Sequence, residues 1–180
     1  MVVKIITDVD SEPVALEDAK LWAKISGASE DDIMEDIILP SARKAVEDYC
    51  SCSMAEKEYE VIFEKSESYY ELPYGPVIEV SKVEILYSRG DNTELPEDDY
   101  YVVGDKLYAG EFLSTRHVVG MKVTYTAGYG DDTEPLPAPL KEAVLRQFVT
   151  QYDYRENTGG AGISPQAREI CAPYRRRVWL

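Results

Sequence analysis

The chain has 180 residues, 44% of them hydrophobic, and 34 acidic against 19 basic residues give it a formal net charge of −15. That composition can bury a core in one domain, or one domain with an insertion, and it excludes a disordered chain. It also argues against a sequence-reading nucleic-acid binder, which carries a basic stripe that releases counterions on binding; the basic residues cluster only in the C-terminal tail.

At the N-terminus, Val2-Val3-Lys4-Ile5-Ile6 is too short for the apolar region of a signal peptide and meets Asp8 and Asp10 at once. No later run is long enough to span a bilayer, so a soluble protein made in the cytoplasm is expected. A first helix is predicted over about Leu16 to Ile25, with Leu16, Ala19 and Ala23 on one stripe, Trp22 beside it and Gly27 ending it. Ser29 is predicted to cap a second helix, with Asp32 at capping-box spacing and Glu30, Asp31 and Asp32 at the positive end of its dipole. Met34, Ile37, Ile38, Ala42, Ala45 and Tyr49 form its apolar stripe. Pro40 falls inside the stripe and removes the bond to the Asp36 carbonyl, which predicts a kink and not a break. A short loop between two such helices makes them an antiparallel pair.

From about Glu58 to Thr126 the hydrophobic period changes to two. Tyr59, Val61 and Phe63 alternate with Glu58, Glu60, Ile62 and Glu64, and Tyr70–Leu72, Val77–Tyr87, Tyr100–Val103, Lys106–Tyr108 and Val118–Thr126 follow. Turn residues separate them at Tyr74-Gly75-Pro76, Arg89-Gly90-Asp91-Asn92, Gly104-Asp105 and Gly110. An antiparallel sheet of roughly five or six short strands is expected. Because helices flank it in sequence, it reads as an insertion into a helical scaffold, and the fold class is α+β.

Past Gly128 and Gly130, Pro139 stands at a first helical position, and a helix to about Tyr154 presents Leu140, Ala143, Val144, Phe148 and Tyr152. The glycines of 157–162 make a flexible loop; no strand precedes them and no Lys-Ser or Lys-Thr follows, so they do not read as a phosphate-binding turn. Ser164-Pro165 caps a short helix through Ala172, and Pro173 stops it. The tail is basic and aromatic: Tyr174, Arg175, Arg176, Arg177 and Trp179.

Catalytic chemistry is hard to find. His117 is the only histidine, which excludes multi-histidine metal sites, and it reads as a surface or strand-end residue. The acidic clusters Asp31-Asp32, Glu97-Asp98-Asp99 and Asp131-Asp132 lack calcium-loop spacing and read as caps and solvated turns. Cys50, Cys52 and Cys171 lack a second zinc-ligand pair and are expected to be reduced packing or surface residues. No catalytic, cofactor or metal residue is assigned. The 14 tyrosines mark either a subunit interface or ordinary strand residues.

Met121-Lys-Val-Thr-Tyr-Thr-Ala-Gly-Tyr-Gly130 followed by Leu136-Pro-Ala-Pro-Leu-Lys-Glu-Ala-Val-Leu-Arg-Gln-Phe148 resembles the head-tail connectors, or head-completion adaptors, of long-tailed double-stranded DNA phages. Val14-Ala-Leu16-Glu17-Asp-Ala19-Lys20 looks like that family's opening helix, and Asp32-Ile33 through Tyr49 looks like its second. Leu72-Pro73-Tyr-Gly75-Pro76-Val77 with Val80 and Val83 is similar to a segment of the longer members, which carry an inserted β region. Ala172-Pro173-Tyr174-Arg175 with Trp179 resembles the closing segment. Ala15, where a Ser or Thr cap would be expected, departs from the pattern and leaves the first helix boundary open.

The resemblance implies one connector domain, with a helical scaffold at 14–54 and 137–176, a β insertion at 57–130 and a tail at 173–180. It implies a structural virion protein of the neck, not an enzyme, that docks on the portal as a homo-oligomeric ring of about a dozen copies after DNA packaging. The ring would give a tail-completion or stopper protein its platform, and DNA would pass through the channel without sequence-specific binding. No membrane and no cofactor is implied. In that setting the acidic surface either only keeps the protein soluble or lets DNA slide past. Tyr174, Arg175, Arg176, Arg177 and Trp179 are the expected contacts to the portal or a neighbouring subunit. The rival reading is a soluble binding module or enzyme subunit with a Tyr-rich β-face.

Overall fold

The computed structural model describes residues 1–9, 11–65, 67–110, 117–130, 135–154 and 162–176. The chain divides into two compact units, one of strands from Met1–Val9 and Glu56–Gly128, the other of helices from Asp10–Ala55 and Tyr129–Arg176.

In the helical unit, α1 (Leu16–Ala23) begins at Ala15 without a side-chain cap. It ends earlier than expected. Lys24 adopts a left-handed conformation (φ 57°), and the Ile25 N–H donates to the Lys20 carbonyl, so a Schellman-type closure stops the helix before Gly27. The second helix also departs from its expected start: Glu30 precedes it, Ser29 makes no cap, and Lys20 Nζ ties the start down by bonds to Asp31 (2.6 Å) and the Gly27 carbonyl (2.7 Å).

This helix runs unbroken through α2 (Asp31–Ile33), a π-helical turn (Met34–Ile38) and α3 (Leu39–Cys50). Pro40 is absorbed by the turn before it, where the Leu39 N–H reaches back to the Met34 carbonyl. The extra residue advances the phase of the apolar stripe. Met34, Ile38, Leu39, Ala42, Val46 and Cys50 are therefore buried, while Ile37 is 62% exposed. Arg43 and Glu47 lie inside as an i,i+4 ion pair at 2.9 Å, and Arg43 Nε also meets Glu12 at 2.8 Å.

The helix α4 (Ala138–Asp153) packs on α1, α3 and α5 (Pro165–Cys171), and it buries Leu140, Ala143, Val144 and Phe148 as its stripe predicts. Tyr152 is only partly buried, and its hydroxyl donates to Glu30. Gln147 is buried too, because it serves the next segment: its Nε2 donates to the Gly162 carbonyl and its Oε1 accepts from the Ser164 N–H. Ser164 then caps α5 by accepting from the Ala167 N–H.

The described residues of the β unit hold eight strands in two antiparallel sheets, more than the single sheet expected. The larger sheet has the order β1-β2-β8-β4-β5, from β1 (Val2–Thr7), β2 (Lys57–Phe63), β4 (Val77–Tyr87), β5 (Thr93–Glu94) and β8 (Val118–Ala127). The smaller has the order β3-β7-β6, from β3 (Tyr70–Glu71), β6 (Tyr100–Val103) and β7 (Lys106–Ala109). Val61 pairs with Val123 and Val123 with Val83, while Tyr59 pairs with Tyr125, so the period of two puts one continuous apolar row on the inner face. Tyr70, Leu72 and Leu107 join that core. Tyr59 stacks between Tyr74 (4.9 Å) and Tyr125 (5.5 Å).

The other face carries a ladder of alternating charge: Glu94, Lys82, Glu84, Lys122 and Glu60, with Lys122 2.7 Å from Glu84. Gly120 is needed where β8 passes β2, because a Cβ there would lie 2.6 Å from the Phe63 carbonyl oxygen.

Candidate functional site

The sequence places its candidate contacts at the C-terminal end, and the structure ties the first part of that segment down. After α5 the chain makes a 3-10 turn, Ala172–Tyr174, whose Tyr174 packs against the helical core. Arg175 then turns extended (ψ 117°) and sets its guanidinium 4.9 Å from the Tyr49 ring. The Arg168 guanidinium approaches the same ring at 5.5 Å, and its Nε donates to the Tyr49 hydroxyl at 3.3 Å. Arg176 donates from its backbone N–H to the Cys50 carbonyl (2.9 Å) and from Nη1 to the Ser51 carbonyl (3.2 Å). Both acceptors lie where α3 ends and Ser51 turns left-handed, so a cation meets the negative end of a helix dipole.

Three of the five expected contact residues are thus described, and they differ in role. Tyr174 and Arg176 hold the segment to its own unit; Arg175 is exposed and oriented by Tyr49. Arg177 and Trp179 lie outside the described residues. Arg168 and Tyr49 were not legible as site residues, because nothing in a helical stripe says that a Tyr near the end of α3 will be flanked by arginines more than a hundred residues later.

The cysteines meet beneath this segment. All three are buried and unpaired, and Cys50 Sγ lies 3.5 Å from the Cys171 carbonyl oxygen. The Cys171 contact pulls the Cys50 thiol down, while the Cys52 contact and burial push it up, and the balance stands at about 12. A thiol held there is packing, not a nucleophile. His117 is exposed at the head of β8, where its carbonyl accepts from the Ser88 N–H at 2.8 Å. Glu97–Asp99 form an exposed 3-10 turn; Asp131 and Asp132, and residues 157–161 of the glycine loop, lie outside the described residues. Among the described residues no group of three or more His, Cys, Asp or Glu side chains is placed to hold a metal ion, and no helix is long and apolar enough to cross a membrane.

A second surface lies on the helical unit around Trp22, which is 46% exposed and has the Arg146 guanidinium 5.9 Å from its ring. A groove of about 630 Å³ beside it is lined by Trp22, Arg146, Tyr154 and Pro165. The lining offers aromatic area and a cation, residue types enriched at contact surfaces.

The fold as a whole occurs in known particles. It is similar to a chain of the neck of an empty gene transfer agent particle computed with C6 symmetry, with a TM-score of 0.79 and 19% identity over 100% of this chain and 98% of the other. A chain in the virion of the native particle matches with a TM-score of 0.76 at 18% identity, and one in the native neck computed with C12 symmetry with 0.72 at 18%, each over 100% of this chain and 98% of its own. No curated protein sequence matches the chain. Residues 14–177, which span both flanks of the helical unit and all the strands but β1, match the head completion protein family, and the chain belongs to that family.

Proposed function

We propose that this protein is the adaptor of a virion neck: a ring of about a dozen copies that docks on the portal after DNA packaging and offers a platform to a tail-completion or stopper protein. The observation that carries the reading is the agreement of the fold, over the entire chain, with chains of gene transfer agent necks computed with C6 and with C12 symmetry. Membership of the head completion family supports the same role. The chain acts as one connector domain, with 14–54 and 137–176 as scaffold and 57–130 as the insertion. It works by recognition: no turnover is expected, and His117→Ala leaves assembly unchanged.

Within this reading the portal or a neighbouring subunit is met by the C-terminal segment. Arg175 and Arg168 present guanidinium groups beside Tyr49, suited to carboxylates of a partner, and Arg177 and Trp179 follow directly in sequence. Because Tyr174 and Arg176 hold to their own unit, the informative cut falls after Arg176. Removing 177–180, or Arg175→Glu, is expected to leave the melting temperature near that of the parent while abolishing portal attachment, measured by co-sedimentation with portal rings. Normal completion of heads by both variants would move the attachment site to the helices.

A further inference from the structure

Among the described residues, two strands of the β unit stand at sheet edges with apolar side chains exposed along them. The strand β6 closes the small sheet, and Tyr101, Val102 and Val103 are 61%, 37% and 59% exposed. The strand β1 closes the large sheet, with Val2 and Ile6 57% and 45% exposed. Soluble proteins guard such edges by shortness, charge or proline, because an open row of N–H and C=O groups templates another strand. The other two edges are guarded by shortness, β3 and β5 having two residues each, while β1 carries a single charge, Lys4.

We propose that the β6 edge of one copy pairs with the β1 edge of the next, so that neighbouring subunits are joined by an intermolecular β-ladder. This rests on the ring reading and names the contact that builds the ring. Charge selects the pairing. Lys4 stands exposed in the middle of β1, and the exposed turn Glu97-Asp98-Asp99 leads directly into β6. An antiparallel β1–β1 pairing centred on the strand sets Lys4 against Lys4, and an antiparallel β6–β6 pairing leaves the acidic turns at opposite ends with no cation beside them; only the unlike pairing brings opposite charges near each other. A contact between two different patches is heterologous, the kind that closes a ring instead of stopping at a dimer.

Backbone geometry makes β6 ready for a partner. Val103 and Lys106 close a two-residue loop with Gly104 at φ 58°, as in a type II′ turn. The closing pair of such a hairpin exchanges both hydrogen bonds and the pairs then alternate, so Tyr101 bonds inward to β7 while Tyr100 and Val102 turn their N–H and C=O groups outward. Beside them Tyr101 stacks on Tyr108 at 4.9 Å and 2°, and Tyr108 lies 5.9 Å from Tyr69. These rings are already ordered, so docking on them costs little side-chain entropy.

The test uses the full chain with its portal protein, read by native mass spectrometry and sedimentation. Val102→Pro removes one outward N–H and spares the bonds to β7; Lys4→Glu with Ile6→Glu blocks the other edge. The wild type is expected to form rings and each variant to remain monomeric. An equal mixture of the two variants, which keeps one intact β6 and one intact β1, is expected to give dimers and no rings. For a check confined to exposed side chains, Lys4→Glu alone should weaken assembly roughly tenfold, and adding Asp98→Lys and Asp99→Lys should restore it. Rings formed by either blocked variant as readily as by the wild type, or a loss that the charge swap does not restore, would overturn the pairing and leave the ring itself standing. A wild type that forms no ring with its portal would overturn the ring reading.

Discussion

Replacing Glu47 with Ala should cost the helical unit about 4 kcal/mol. The Glu47 side chain is 1% exposed; its Oε2 accepts from Arg43 Nη1 and its Oε1 from the Met54 N–H, each at 2.9 Å. Alanine strips an acceptor from a guanidinium that is itself only 5% exposed and from the amide that fixes the loop after α3. Breaking a buried pair from one side costs about 3–5 kcal/mol, and an orphaned amide about 1–3. The two sites share one carboxylate, so these figures do not add in full. Glutamine retains an oxygen for Met54 but not the charge for Arg43, so about 2 kcal/mol is expected there. Urea unfolding followed by far-UV circular dichroism measures both, and the Ala variant should melt roughly 10 °C below the parent. An Ala variant within about 1 kcal/mol of wild type, the range of exposed pairs, would refute the view that this pair is desolvated.

Gly120→Ala should lower stability by about 2 kcal/mol or more in the same assay, because its Cβ meets the Phe63 carbonyl at 2.6 Å and β2 must shift to admit it. Acid should expose the charge ladder. The hydrogen bond from Lys122 holds the Glu84 carboxyl below its ordinary range against the effect of burial, with Lys82 assisting. Stability from Glu84 is therefore full above the unfolded carboxyl pKa and is lost as pH falls through the lower folded one, and Lys122→Met should flatten that acid limb in melts taken from pH 6 downward. The three buried thiols should resist an alkylating probe at pH 8 in the native protein and react together in urea; rapid native labelling of Cys50 would contradict its raised pKa.

Periodicity made most of the fold legible. The alternation at Tyr59-Val61-Phe63 and at Val123-Tyr125 gave strands that pair in register, and Pro139 with its stripe gave α4 within a residue of its start. The strand β1 was hidden because Val2–Ile6 is nearly uniformly apolar; only pairing with β2 reveals that Val3 and Ile5 face inward while Val2, Lys4 and Ile6 face water. Ile37 was misplaced because a 3.6-residue period has no means of registering the extra residue of a π turn. At the candidate site the sequence showed the unusual charge of the tail but not its seat: the Arg176 bonds to Cys50 and Ser51 join the two ends of the helical unit, and no local pattern encodes a contact of that range.

The division of the chain bears on how the protein is made. β1 is made before β2, its sheet neighbour among the described residues, and the whole segment Asp10–Ala55 comes between them; β8, which joins β2 to β4, ends at Ala127. The helical unit waits in turn for α4 and α5, which follow all eight strands in the described residues. Each half is interrupted by the other in sequence, so both cores close through contacts between segments far apart in the chain, and contacts of such long range form slowly. Apolar edges and half-built helical faces are then uncovered together during synthesis, the condition under which nascent chains aggregate. The net charge of −15, spread along the chain, keeps nascent copies apart while they wait.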